Sequence, residues 1–321
     1  MVGKVPPADL RDVVFERLGA ESDAVVQGPA YGEDAAALSL GDQLLVVSTD
    51  PISLAAAHVG TLGVHVACND VAASGGDPEW LTVVVFVPDD QPELLDTVTS
   101  QLDAAARASG VAIVGGHSEY STELTRPQLS LTAMGLAEEF VPTGGARPGD
   151  AIVLTKGAAI EGTAIMATDF RDRLSGVVGE RTIDEAAGYF EELSVGDEAR
   201  ILREFATAMH DPTEGGVLDG LLELAVASGV TAVVDRDAVP IRGPTRALAD
   251  ALDVDPLATF GSGALLATVP EPAVDEALDA CADAGIEAVR IGTVEPGPGS
   301  LVLDGTTYEE PVRDEMYRLW E

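Results

Sequence analysis

The chain has 321 residues, enough for one large or two ordinary domains, and its 46% apolar content supports a sizeable core, an aliphatic one because aromatics are only 4%. The net charge is −37, from 55 acids against 18 bases, and only Lys4 and Lys156 are lysine. No basic patch exists, which argues against nucleic-acid binding through a basic face.

The acids are scattered rather than blocked, so they do not read as a disordered acidic tail. Such charge self-repels at low ionic strength and is screened at molar salt, which points to a protein adapted to high salt. The rival reading is an acidic surface for a basic partner. The start, "MVGKVPPADL", has no apolar signal region, and the run "LTVVVFVP" is too short to span a bilayer. The expectation is a soluble, cytoplasmic protein without a membrane partner. Cys68 and Cys281, each among aliphatics, read as small core residues rather than a zinc site.

In chain order, "PPADLRDVVFERLGA" predicts a short helix with Leu10, Val13, Val14 and Leu18 on one face. Strands follow near 35–38 and 43–48. Residues 61–75 read as a helix buried around its whole circumference. "EWLTVVVFVP" reads as a fully buried strand, and residues 92–110 as an amphipathic helix stopped by Gly110. "VAIVGG" and "PQLSLTAMGLA" are strands, the second alternating as if one face were wet. "VPTGGARPGD", residues 141–150, is the best linker and divides the chain into domains at 1–145 and 146–321. The second half predicts helices near 158–170, 181–192, 197–209 and 214–228, and strands near 230–235, 263–269, 287–292 and 300–303. Without strict alternation, the class is α+β, or mixed α/β.

Three acids interrupt apolar structure. Asp34 lies in a small-residue turn, Asp50 ends the run 44–47, and Asp70 sits in the helix without a wet face. Buried carboxylates are costly unless a cation neutralises them, and hard oxygens at such places suit Mg²⁺ together with phosphate. The bland readings are a turn former for Asp34 and a solvated strand end for Asp50. Gly115 and Gly116 allow a phosphate close approach, or simply mark a turn. Asp211, Thr213 and the glycines at 215–216 precede a long helix, as an anion site or as a capping box. His65 reads as a core histidine, whereas His117 follows the glycine pair and can face a ligand.

The ordered set "GEDAA", "VVSTDP", "NDVAASGGDPEWL", "VGGHSE", "PGDAIVLTKG", "HDPTEGGV" and "SGALLATV" resembles the superfamily of aminoimidazole ribonucleotide synthetase, thiamine-monophosphate kinase, selenophosphate synthetase and the hydrogenase maturation protein HypE. It looks most like archaeal HypE-like proteins, over nearly the whole chain. The resemblance implies two PurM-like α/β domains, ATP in a cleft, and a homodimer whose N-terminal domains pair into a β-barrel. It implies that Asp34, Asp50 and Asp70 hold Mg²⁺ on the phosphates and that Asp211 is the second-domain acid. Thr49, Asn69, Gly115, Gly116, His117 and Arg126 would surround the nucleotide.

The departures are His117 and Glu119, where HypE carries Asp and Lys, although selenophosphate synthetase also has "GGH". The end, "MYRLWE", lacks the cysteine that HypE uses, and the reactive cysteine or selenocysteine that selenophosphate synthetases carry in an N-terminal glycine-rich loop is also absent. Those two reactions are disfavoured, while the ATP site survives. The expectation is an ATP- and Mg²⁺-dependent enzyme that phosphorylates or activates a small substrate. The alternative is a nucleotide-binding maturation or scaffold protein acting through a partner protein.

Overall fold

The computed structural model describes residues 3–321. Strands β1 (Val25–Gln27), β2 (Ala36–Leu40), β3 (Gln43–Ile52), β4 (Asp77–Pro88), β5 (Ala112–Ser121) and β6 (Gln128–Ala137) form a sheet in the order β1-β2-β3-β6-β4-β5. Helices α1 (Val59–Ala73) and α2 (Glu93–Ala108) belong to the same half. Only β4 and β5 are parallel, and α2 supplies the crossover that parallel neighbours require.

The apolar run in β4 is two-sided. Leu81, Val83, Val85 and Val87 are buried in the core, while Trp80, Thr82, Val84 and Phe86 are half-buried on the other face. β6 alternates in the same way. The expectation of a fully buried strand fails because successive side chains leave opposite faces of the sheet. One chain builds an open sheet with edges at β1 and β5, not a closed barrel.

The absence of a wet face on α1 has a tertiary cause. One side packs on its own sheet so closely that a Cβ at Gly63 would come within 2.6 Å of Leu131. At its end, Ala72 and Ala73 share a cluster with Val153, Leu202 and Cys281 of the second half. The helix is therefore buried between the two halves. Cys68 and Cys281 are both free and buried.

The second half has a seven-stranded sheet in the order β13-β12-β9-β11-β7-β10-β8. Its strands are β7 (Asp150–Thr155), β8 (Ala208–His210), β9 (Val230–Val234), β10 (Leu266–Pro270), β11 (Ala288–Pro296), β12 (Ser300–Leu303) and β13 (Thr306–Tyr308). The longer helices are α3 (Ile160–Asp169), α4 (Glu180–Ala187), α5 (Gly196–Leu202), α6 (Gly216–Ser228), α7 (Gly243–Leu252) and α8 (Val274–Asp283). The helix expected over 197–209 stops at Leu202, because Ala208–His210 pair with β10 instead. The linker is pinned rather than loose: Thr143 and Gly144 donate backbone N–H bonds to Glu33 at 3.1 and 3.0 Å.

The N-terminal segment departs most from expectation. A helical turn at Pro7–Asp9 runs into a wider turn at Leu10–Val14. Val13, Val14 and Leu18 are 45%, 47% and 56% exposed, so the apolar stripe does not join the core. Among the described residues, no helix is long and apolar enough to cross a membrane.

Candidate functional site

Asp34 follows the turn made by Gly32, whose φ of +83° suits glycine. Asp50 does not end its strand, as expected, because β3 continues through Pro51 to Ile52. It shares a face with Ser48, whose hydroxyl donates to Asp70 Oδ2 at 2.5 Å. Burial, then the charges of Asp50, Asp34 and Asp211, push the Asp70 carboxyl well above its ordinary value. Asp211 follows β8, and both its carboxylate oxygens are buried without a hydrogen-bond partner. Its carboxyl is also raised, by burial and then by Asp34. Two loops, a strand and a helix thus bring four acids from both halves into one neighbourhood.

His210 is the hinge of the arrangement. Its Nδ1 lies 2.8 Å from Asp34 Oδ1, across the two halves, and its Nε2 lies 3.1 Å from Glu223 Oε2 on α6. Burial alone would lower the imidazole, but Asp34 and Glu223 outweigh it and raise its pKa to about 10, so both ring nitrogens donate. Glu223 in turn accepts from Lys4 Nζ at 2.8 Å, and Asp219 lies 3.8 Å from the same ammonium. Burial would raise Glu223, yet Lys4 and His210 bring it down to about 2. These groups open on a cleft of about 1050 Å³ that Asp34, Asp50, Asp70, His210, Asp219 and Glu223 help to line.

Among the described residues, no group of three or more His, Cys, Asp or Glu side chains closes into a metal cage. An open carboxylate set nonetheless fits Mg²⁺, which takes one or two carboxylates and completes its shell with water and phosphate oxygens. Both Asp211 oxygens lack a hydrogen-bond partner and burial raises the Asp70 carboxyl, so a cation placed between these acids would relieve both.

Other expected residues lie elsewhere. Thr49 Oγ1 sits 2.9 Å from Thr132 Oγ1 and is exposed, on the sheet face away from Asp50. Asn69 spends its amide on the second half: Nδ2 donates to Leu193 O at 2.8 Å, and Oδ1 accepts from Val195 N at 3.0 Å. It joins the two halves rather than reaching the cleft. Gly115 and Gly116 are within β5 rather than at its end. A Cβ at Gly116, where φ is +153°, would lie 1.9 Å from Val83 O, so strand packing accounts for this glycine. His117 is exposed, 3.4 Å from Glu119, and lines a separate groove with Val83, Val85 and Leu102. Arg126 donates to Leu54 O at 2.8 Å and is not among the cleft-lining residues.

The N-terminus of α6 is not an open anion site. Asp314 Oδ2 already accepts from Gly215 N at 2.9 Å, and neither Asp211 nor Thr213 caps the helix. His65 is half-buried rather than a core residue, and burial, then Lys156, lowers its pKa to about 4.

His210, Asp219, Glu223 and Lys4 join the cleft without having been expected there. A signal did exist for the two acids, since Asp219 and Glu223 are spaced i,i+4 on an otherwise apolar helix, which puts them on one face. Models of the AIR synthase related protein family match residues 32–137, as its N-terminal domain, and residues 147–304, as its C-terminal domain. The chain belongs to the AIR synthase related family.

The selenide, water dikinase of Geobacter metallireducens is 31% identical, over 91% of this chain and 93% of that protein. The carbamoyl dehydratase HypE of Cupriavidus necator is 32% identical, over 82% and 77%. Among solved structures, AaThiL complexed with AMPPCP and TMP superposes with a TM-score of 0.77 at 22% identity, covering 96% of each chain. A HypE–HypF complex gives 0.75 at 21%, over 94% of this chain and 98% of that one. These likenesses establish the two-domain PurM-like fold. Asp34, Asp50, Asp70, His210, Asp211, Asp219 and Glu223 all lie within the two AIR synthase related matches, whereas Lys4 lies outside both.

Proposed function

We propose that the cleft binds ATP with Mg²⁺ and directs the γ-phosphoryl group, or the activation it drives, onto a small substrate. The observation that carries this reading is the convergence of Asp34, Asp50, Asp70 and Asp211, with both Asp211 oxygens unpartnered. Asp34, Asp50 and Asp70 would hold the metal, which supplies charge neutralisation on the phosphates. His210 fixes Asp34 against the second half, and Asp211 faces the same neighbourhood. Phosphoryl transfer asks little of a protein beyond such positioning. The likeness to AaThiL solved with AMPPCP and to HypE in complex with ATP supports the nucleotide.

Titration of ATP in molar KCl, with and without Mg²⁺, tests the reading. Binding is expected only with the divalent ion. Asp70→Asn imitates the protonated carboxyl, so the fold is expected to survive while Mg-ATP affinity falls at least about tenfold, or 1.4 kcal/mol. Equal affinity in a folded Asp70→Asn protein removes Asp70 from the site.

A second reading, a maturation protein acting through a partner, is favoured by the likeness to HypE solved with HypF. Under it, ATP binds but turns over only with that partner. ADP release by the isolated protein decides between the two. In either reading we assign residues 1–145 and 146–321 to the two domains. We also assign a homodimer in which the half-buried face of the first sheet pairs with a second copy. Trp80, Val84 and Phe86 lie on that face.

A further inference from the structure

The walls of the cleft differ in origin from its acids. Asp34, Asp50 and Asp70 lie within the N-terminal AIR synthase related match. Segments outside both matches complete the lining: residues 4–15 and 29–31 before the first, and 310–321 after the second. Relatives alike over more than four-fifths of this chain are named for different compounds, selenide and a carbamoyl group. What the family shares does not by itself select a substrate, which leaves that selection to parts such as these segments.

Within residues 3–18, only Pro6, Pro7, Leu10 and Phe15 are half-buried, and all four line the cleft. The chain carries 4% aromatics, yet three rings, Phe15, Tyr31 and Tyr317, line this one cleft. The two terminal segments are stapled to neighbouring acids of α6: Asp219 accepts from Val312 N at 2.8 Å, and Glu223 from Lys4 Nζ at 2.8 Å. They also meet each other, since a Cβ at Gly3 would lie 3.0 Å from Tyr317 Cε2. Tyr317 packs edge to face on Phe260, with ring centroids 5.9 Å apart. Side chains such as Leu10 and Phe15, turned to a cleft rather than to a core, leave water fully only when something apolar fills that cleft.

We propose that these two segments form the seat for an aromatic ring of the phosphoryl acceptor, in the same cleft as the phosphates. The proposal rests on the ATP reading of the cleft, and it names the substrate class: a small molecule whose accepting group is carried on an uncharged aromatic ring. Aromatic rings make offset and edge contacts with other rings that a puckered aliphatic ring of the same size does not make. With Glu214, Glu310 and Glu321 also in the lining, a negatively charged ring is repelled.

The test uses benzyl alcohol, an uncharged ring bearing a hydroxyl, and cyclohexylmethanol, its puckered counterpart, measured by saturation-transfer NMR in molar KCl. The wild-type protein is expected to bind benzyl alcohol saturably, with or without saturating Mg-AMPPCP, and about fivefold more tightly than cyclohexylmethanol. Phe15→Ala is expected to weaken benzyl alcohol about tenfold and to leave Mg-AMPPCP affinity within about twofold. Val14→Ala alters the same segment outside the lining and is expected to leave both unchanged. No saturable binding, or equal binding of the two alcohols, overturns the proposal. An equal loss in Val14→Ala overturns it too, by tracing the effect to the folding of the segment. Competition between benzyl alcohol and Mg-AMPPCP, or a loss confined to the nucleotide in Phe15→Ala, gives the wall to adenine and overturns the assignment to the acceptor. Benzyl alcohol binding is read without nucleotide or turnover. Failure of the ATP reading is therefore distinct: the wild type binds no Mg-AMPPCP while the ring seat is intact.

Discussion

Glu161 shows at the residue scale how costly this interior is for acids. It lies on α3 and is 7% exposed. Burial raises its carboxyl from 4.5 to about 7, against the opposing pull of Ser262 and with help from Asp50. The folded state then binds more protons than the unfolded state between those two values. Stability therefore falls as pH rises through that window and stays lower above it. Glu161→Gln keeps the shape and removes the charge. It is expected to stabilise the metal-free protein by about 2–4 kcal/mol at pH 8 and hardly at all at pH 4.5. Calorimetric melting across pH at constant high salt measures this, and a pH-independent difference contradicts it. Asp70 was recognisable in the sequence for a related reason, as a charge in an apolar helix. Glu161 was not, because nothing in "AAIEGTAI" marks that helix as enclosed.

At the element scale, β4 and β6 matter most. Their alternation was visible as a pattern in β6 and hidden in β4, where both faces are apolar and only the fold distinguishes them. One face meets α1 and α2; the other, with Val84 half-buried, is left uncovered within the chain. A sheet open at both edges with such a face is a liability that a second copy would relieve. Light scattering in high salt is expected to give about twice the 33.0 kDa chain mass. Val84→Asp is expected to dissociate or unfold the protein, and to lower ATP binding with it. A folded, dimeric Val84→Asp protein places the interface elsewhere.

Across the whole molecule, the charge of −37 is carried by 55 acids. Many of the exposed acids have no neighbouring base, so self-repulsion works against the compact state wherever salt does not screen it. The melting temperature is expected to rise steadily from dilute buffer to molar KCl, with aggregation or unfolding on dilution. A flat or falling midpoint across the salt series contradicts adaptation to high salt. The internal pairs, such as His210 with Asp34, are expected to be less sensitive, because buried charges are screened less than exposed ones.

The sequence by itself determined the α+β class, the buried helix carrying Asp70, the alternating strand at 128–137 and the order of acidic motifs that marks the family. Each depends on periodicity or on a charge out of place among near neighbours, which a linear chain displays. Tertiary structure alone decided that His210 reaches Asp34 across 176 residues, that Asn69 ties the halves together, and that Lys4 folds back onto Glu223. It also moved the glycines before His117 from the end of a strand to its middle, fitted against β4. These contacts depend on which faces of two separate sheets meet around α1. That choice is made by complementary shape and charge over the whole surface, and no local period records it.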